Sequence, residues 1–454
     1  MNIIDKNIYD KLNLYIHVKN CYKNLKNNIK GGRLKVTSGR LKVTSGRPRK
    51  RKISRSKNEF SDIDCKTNTS VCDMDTSITD EYVRYLSIVR IIDEAVKFTS
   101  IGTSIPFNKI EYETKNIVER LLLEWANRAT MECSLDPIIN GNETYEEYKK
   151  DLTYQRENRQ FYKFPINQID QHISEIKKII DSYLVDRKEP HLMPRWLIEP
   201  HENNRLSKFT LFDPISPDKK IYERIIKASR MDMLLSIGGE QAVVRLLIRY
   251  ASIISGPNHW EAPIEYFRML YRLGVRFESF SSPINSNFLL SEFRDRDQEI
   301  KICSLFYDTD KIFGSIGGFF QVDFLSYCTD TFTPIVVVGP PYYDLLILNI
   351  AKKIQHQCLC AQKENKRIRF IITHSNSWDY SEGFKILKES EFCKFDYVFK
   401  KNEHAYNNDR GEQIVARFET RLFVLDHGIE KDEKYYMDDQ YKDDLINIFP
   451  KINK

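Results

Sequence analysis

No C-x-x-C pair occurs among the nine cysteines, and only Cys358 and Cys360 sit close together. A zinc site is therefore not expected. The odd, scattered count fits reduced thiols in an intracellular protein. No window approaches 18 apolar residues, so no membrane span is expected. Met1 to Asp10 is polar and lacks the apolar core of a secretory leader. No G-x-G-x-x-G loop is present to cradle a dinucleotide. Acidic residues are missing between Lys19 and Lys57, where every charge is basic. The net charge of +6 is modest, so this run, more than the total, points to an anionic partner.

What is present divides the 454 residues into four stretches. Residues 1–78 form a basic N-terminal region, expected to be largely disordered. Within it Gly32 to Ser38 is repeated at Gly39 to Ser45, a tandem heptapeptide expected in a tolerant linker. The cluster Arg47 to Lys52 has the composition of a nuclear address or of a nucleic-acid tail, and equally of a solvated linker. As an address it would engage the import machinery and place the chain in the nucleus. In a cytoplasmic virus it would serve as an RNA tail.

Residues 79–255 read as a helical domain. Tyr82, Tyr85, Leu86, Val89, Ile92 and Val96 recur at three and four, and further helices are expected at Ile117–Ala126, Tyr145–Tyr154 and Ile166–Leu184. Pro190 to Trp196 reads as a linker, and Ile221 to Ser255 as helix broken at Gly238-Gly239. Residues 256–428 change texture. Short β-rich runs at Val275–Phe280, Pro334–Val338, Arg369–Thr373, Phe395–Phe399 and Arg421–Leu425 alternate with helical patterns at Tyr343–Gln357 and Ser381–Ser390. That alternation means an α/β fold with a mainly parallel sheet. Residues 429–454 read as an acidic, solvated tail.

The chemistry is expected where the Pro334–Val338 strand runs into Gly339-Pro340-Pro341-Tyr342. Two prolines fix φ near −65° and hold the preceding residue extended, giving a stiff turn. Such sheets bind ligands beyond the carboxyl ends of their strands. Backbone carbonyls of the turn can accept from an exocyclic amine, and Tyr342 can stack on a planar base, worth about 1–3 kcal/mol. The same construction would also serve as a plain rigid turn after a buried strand.

Four stretches occur in one order: Val275 to Asn285, Tyr307-Asp308-Thr309-Asp310 followed by Phe313 to Gly317, Gly339 to Tyr342, and Phe370 to Thr373 reaching Trp378. His404-Ala405-Tyr406 adds weaker support. Together they resemble the cap-specific adenosine N6-methyltransferase family, known for the phosphorylated-CTD-interacting factor with a WW domain. Its corresponding stretches read FECFASPLN, DTDGYFGS, NPPF and FIPEW. The likeness covers about residues 225 to 427.

The resemblance implies a Rossmann-like S-adenosylmethionine (SAM) methyltransferase core with a preceding helical domain. It implies SAM as cofactor, and as partner a capped RNA whose cap-adjacent 2′-O-methyladenosine would be methylated. It places Ser282, Pro283, Asn285, Asp308, Asp310, Gly314 and Ser315 at the cofactor and substrate clefts, and Gly339, Pro340, Pro341 and Tyr342 at the catalytic floor. Trp378 would sit at the RNA side. Arg230, Arg245 and Arg249 are further candidates for cap or RNA phosphates, because arginine forks suit them; ordinary helix-surface charge is the plainer reading.

Two departures stand out. The first tryptophan is Trp125, so no upstream WW domain, and no recruitment to the polymerase tail through one, is expected. Gly339 stands where the family has Asn, which removes one side-chain acceptor for the target amine. Losing such a buried hydrogen bond costs about 1–3 kcal/mol, roughly ten- to more than a hundred-fold in rate. A non-catalytic protein that binds capped RNA, or serves as a partner, is the competing expectation. Methylation of internal RNA adenine, of DNA adenine or of glutamine is a third.

Overall fold

The computed structural model describes residues 77–100, 149, 152–153, 166–186, 191–251, 260–342, 344–408, 410–431, 433–450 and 452. These fall within one compact unit, Asp64–Lys454. The basic region with its repeat, the Ile117–Ala126 helix, most of Tyr145–Tyr154 and His259 lie outside the described residues.

Helix α1, Ile78–Ser100, starts where Ser77 and Asp80 cap each other: Asp80 N–H donates to Ser77 Oγ at 3.0 Å, and Ser77 N–H to the Asp80 carboxylate at 2.9 Å. Helix α2, Ile169–Asp186, buries Ile169, Ile176 and Ile180 on the stripe the sequence shows. Helix α3, Ala228–Ala251, is interrupted at Gly239, whose φ of 72° falls in the left-handed region. No helix among the described residues is long and apolar enough to cross a membrane.

Residues 195–227 correct the helical reading of 79–255. They form a three-stranded antiparallel sheet, β1 Arg195–His201, β2 Leu206–Phe212 and β3 Lys220–Lys227. In β3 the apolar pairs Ile221-Tyr222 and Ile225-Ile226 are spaced like a helical stripe. Pairing with β2 over seven registered positions overrides that local pattern.

The main sheet has six strands in the order β5-β4-β6-β7-β11-β8. These are β4 Phe277–Ser281, β5 Lys301–Ser304, β6 Ile335–Val338, β7 Ile368–Ser375, β8 Cys393–Phe399 and β11 Thr420–His427. A small hairpin, β9 Ala405–Asn407 and β10 Gln413–Val415, stands apart. Strands β5, β4, β6 and β7 pair in parallel, and β11 lies antiparallel between β7 and β8. The fold is thus α/β with a mixed, mainly parallel sheet. Strand β5 is one the sequence did not reveal.

Both faces are covered, which explains the continuous apolar runs. Ile335, Val337, Ile371, Leu422 and Val424 face one core together with α4, Ile264–Arg272. Val336, Val338, Phe370, Ile372, Phe423 and Leu425 face the other, with α5, Asp344–Glu364, and α6, Glu382–Glu389. That second core continues into α1, α2, α3 and β2.

The last stretch also departs from the expectation of a solvated tail. Asp438 caps α7, Asp439–Ile446, accepting from Tyr441 N–H at 2.8 Å. Tyr441, Leu445, Ile448 and Phe449 are buried against α4 and the sheet. Acidic residues dominate the count but occupy the outer side, so composition hid an amphipathic element.

Candidate functional site

Winding of the parallel strands reverses at β4: β5 follows it on one side and β6 on the other. The carboxyl ends of β4 and β6 therefore flank the switch point, where an open α/β sheet leaves a crevice. Both ends carry motifs singled out in the sequence. Ser279 Oγ donates to Val337 O at 2.7 Å and ties the two strands just below the crevice.

At the end of β4 the backbone is strained. Phe280 holds φ at 60°, within a register shift against β5. Non-glycine residues in this region cost about 1–3 kcal/mol and cluster at functional sites. Its ring packs on Phe319 at 4.9 Å. The following turn is closed by Asn285, whose Oδ1 accepts from Ser282 N–H at 2.8 Å and from Ser282 Oγ at 2.9 Å. Ser282 and Pro283 are buried and Asn285 half-buried.

At the end of β6 Gly339 is exposed, Pro340 buried, and Pro341 and Tyr342 half-buried. A Cβ added at Gly339 would meet only Thr373 Oγ1, at an ordinary 3.8 Å. Its φ lies outside the left-handed region, so nothing in the local backbone requires glycine here. Tyr342 leans into an aromatic cluster. Its ring lies edge-on to His374 at 4.7 Å and to Phe418 at 5.8 Å, and its hydroxyl is 3.4 Å from that of Tyr406. Tyr406 and His404 Nε2 both reach Thr420 Oγ1, at 3.2 and 2.8 Å. Because β11 is antiparallel, Thr420 pairs with Ser375 and lies at the same edge as the carboxyl end of β7. His404 and Tyr406, weak signals in the sequence, thus become braces of Tyr342.

Burial pushes the imidazoles of His374 and His404 down to about 4, so both are neutral near pH 7. Among the described residues no three His, Cys, Asp or Glu side chains gather as metal ligands. Trp378 ends the short turn Asn376–Trp378 beyond β7, at the same edge.

Several candidates have other duties. Arg249 is 1% exposed and clamps Glu81 of α1 and Asp308: its Nε donates to Glu81 at 2.7 Å, and its two terminal nitrogens donate to Asp308 at 2.9 and 2.8 Å. Arg230 is 3% exposed, donating to Glu261 at 3.2 Å, to Asn287 at 2.9 Å and to the Ser286 carbonyl. Both guanidinium groups are buried and bonded to partners inside the protein. Helical position exposes a residue to sequence inspection but does not say which face is covered. Arg245 is half-buried on α3.

The acidic candidates are likewise engaged. Asp308 belongs to the Arg249 clamp. Asp310, fully buried, accepts from Tyr250 OH at 2.5 Å and from Thr309 Oγ1 at 2.9 Å. The glycine-rich segment runs along the outer side of β5. Ile316 N–H donates to Ile302 O at 2.9 Å, and Ser304 N–H to Gly317 O at 3.0 Å. Ser315 Oγ lies 2.6 Å from Ser304 Oγ. Gly314 and Ser315 therefore cover an edge strand.

Burial pushes the Asp310 carboxyl up to about 7, from an ordinary 3.8. The folded protein then holds a proton that the unfolded chain releases, so between about pH 4 and 7 stability falls as pH rises. Asp310→Asn is expected to flatten that part of the urea-midpoint-against-pH curve relative to the parent. An unchanged slope would refute the assignment.

Comparison with known proteins yields one family match: the profile described as phosphorylated CTD interacting factor 1 WW domain covers residues 222–409. The match links the chain to that family and takes in β4 to β8 with the Gly339–Tyr342 turn. The description names a WW domain, which is at odds with the expectation that none is present. The matched stretch includes Trp260 and Trp378. No curated protein matches the chain.

Proposed function

We propose that the chain is a SAM-dependent methyltransferase acting on the N6 amine of the adenosine next to an mRNA cap. The observation that carries this reading is the Gly339-Pro-Pro-Tyr342 turn standing at the switch point opposite the Ser282–Asn285 turn. The family match, whose name refers to the polymerase tail that accompanies capped transcripts, supports the same direction.

The residues suit such a cofactor in part. The Ser282–Asn285 turn and the exposed Gly339 backbone offer polar groups and close approach at the crevice. The Asp308 and Asp310 carboxylates also accept from Arg249 and Tyr250. When bound, SAM supplies a methyl group on a sulfonium. The residues of the crevice would hold and orient the amine that receives it. Carbonyls of Pro340 and Pro341 would hold the amine, and Tyr342, braced by His374, Phe418 and Tyr406, would support the base. Alignment and a fixed polar grip supply the rate for so poor a nucleophile.

Gly339 favours a second reading, a methyltransferase fold that only binds capped RNA, since one acceptor is missing. Incubation with tritiated SAM and three substrates separates the readings: a capped RNA beginning with 2′-O-methyladenosine, the same RNA uncapped, and DNA. Label on the capped RNA alone is expected. Label on no substrate would leave binding as the function, and label on DNA or equally on uncapped RNA would change the substrate class.

A further inference from the structure

We propose that the hydroxyl of Thr373 takes the place of the side-chain acceptor missing at Gly339. The inference rests on the methyl-transfer reading above and adds a residue to it.

Strands β6 and β7 pair in parallel with Val338 opposite Ile372. The next residues, Gly339 and Thr373, therefore stand level at the carboxyl edge. The sheet alternates faces, and Val337 and Ile371 point to the α4 side, so a side chain at 339 and that of Thr373 share this side. The direct measure agrees, because the nearest heavy atom to a Cβ built on Gly339 is Thr373 Oγ1 at 3.8 Å. An asparagine oxygen lies about 2.4 Å from its own Cβ by standard bond lengths. An asparagine turned toward β7 and the Thr373 hydroxyl would thus reach the same small region.

Thr373 is 8% exposed, at the carboxyl end of β7. A threonine hydroxyl has one donor and two acceptor lone pairs. Its lone pairs can accept from an amine N–H. Gly339 is exposed and puts no side chain on the approach to that hydroxyl. A family-type side chain at 339 would narrow that approach.

The test is methyl transfer to the capped 2′-O-methyladenosine RNA by four proteins: parent, Thr373→Val, Thr373→Ser and the double variant Gly339→Asn with Thr373→Val. Valine keeps the shape and removes the acceptor, and a lost buried hydrogen bond of about 1–3 kcal/mol corresponds to roughly ten- to a hundred-fold in rate. We expect Thr373→Val to lose at least about tenfold on that basis, Thr373→Ser to stay within a few-fold of the parent, and the double variant to regain most of the loss. Urea midpoints of all four, measured in parallel, show whether any variant is simply unfolded. Activity in Thr373→Val equal to the parent would overturn this inference and leave methyl transfer standing. Failure of Gly339→Asn to restore a folded Thr373→Val would also overturn it, because a merely structural threonine cannot be replaced from position 339. A parent that transfers no methyl group overturns the enzyme reading and this inference with it.

Discussion

A chain ending before Asp438 is expected to lose cooperative folding. Tyr441, Leu445, Ile448 and Phe449 would be gone from the core shared with α4 and the sheet. Each buried side chain of this size contributes about 1.5–3 kcal/mol. Four together approach the whole stability of a typical domain, about 5–15 kcal/mol. Polar links would go too: Tyr441 OH donates to Leu273 O at 3.0 Å, and the Arg369 guanidinium lies 4.5 Å over the Tyr441 ring. Arg369 itself is fully buried, paired with Asp426 at 2.7 Å, so removing its aromatic cover exposes an ion pair as well. Urea unfolding followed by tryptophan fluorescence measures the effect. A truncated protein with the parental midpoint and slope would show that α7 is not part of the core.

Arg249→Leu is expected to destabilise the protein by about 3–5 kcal/mol, the usual cost of leaving buried charges without their counter-ion. Here two buried carboxylates lose the arginine that clamps them, Glu81 on α1 and Asp308 after β5, with side chains 0% and 6% exposed. The triple replacement Glu81→Leu, Arg249→Met, Asp308→Leu is expected to recover most of the loss, since a well-packed apolar set can replace a buried ion group. Urea midpoints of the single and triple variants decide it. A single variant within about 1 kcal/mol of the parent would place the clamp among solvent-exposed pairs. The clamp ties α1 to the turn that follows β5, so the helical module and the sheet should unfold in one transition.

Much of the sheet was legible because its strands are buried on both faces. Pro334–Val338 and Arg369–Thr373 are runs of β-branched and aromatic residues that solvated helices do not carry. Their bounds agree with β6 and β7 to within two residues. Elements with mixed exposure were harder to read. The three strands of residues 195–227 alternate irregularly, and β3 mimics a helical stripe until its hydrogen bonds to β2 are seen. The acidic count of residues 429–454 concealed α7 and the segment after it, whose four core residues, Tyr441, Leu445, Ile448 and Phe449, are spread over nine positions.

The site divides along the same line. Local sequence determined the turn at Gly339–Tyr342 and the turn at Ser282–Asn285, because prolines and an asparagine side chain set those conformations within a few residues. It also showed glycine at 339, where the family that the chain resembles has asparagine. Tertiary structure alone decided what surrounds them. Only the strand order brings the two turns together at a switch point. Burial set Arg230, Arg249, Asp308 and Asp310 against internal partners. The parallel register of β6 and β7 set Thr373 beside Gly339. Conformation at a turn is a property of neighbouring residues, whereas the availability of a charge or hydroxyl depends on which distant strand or helix covers it.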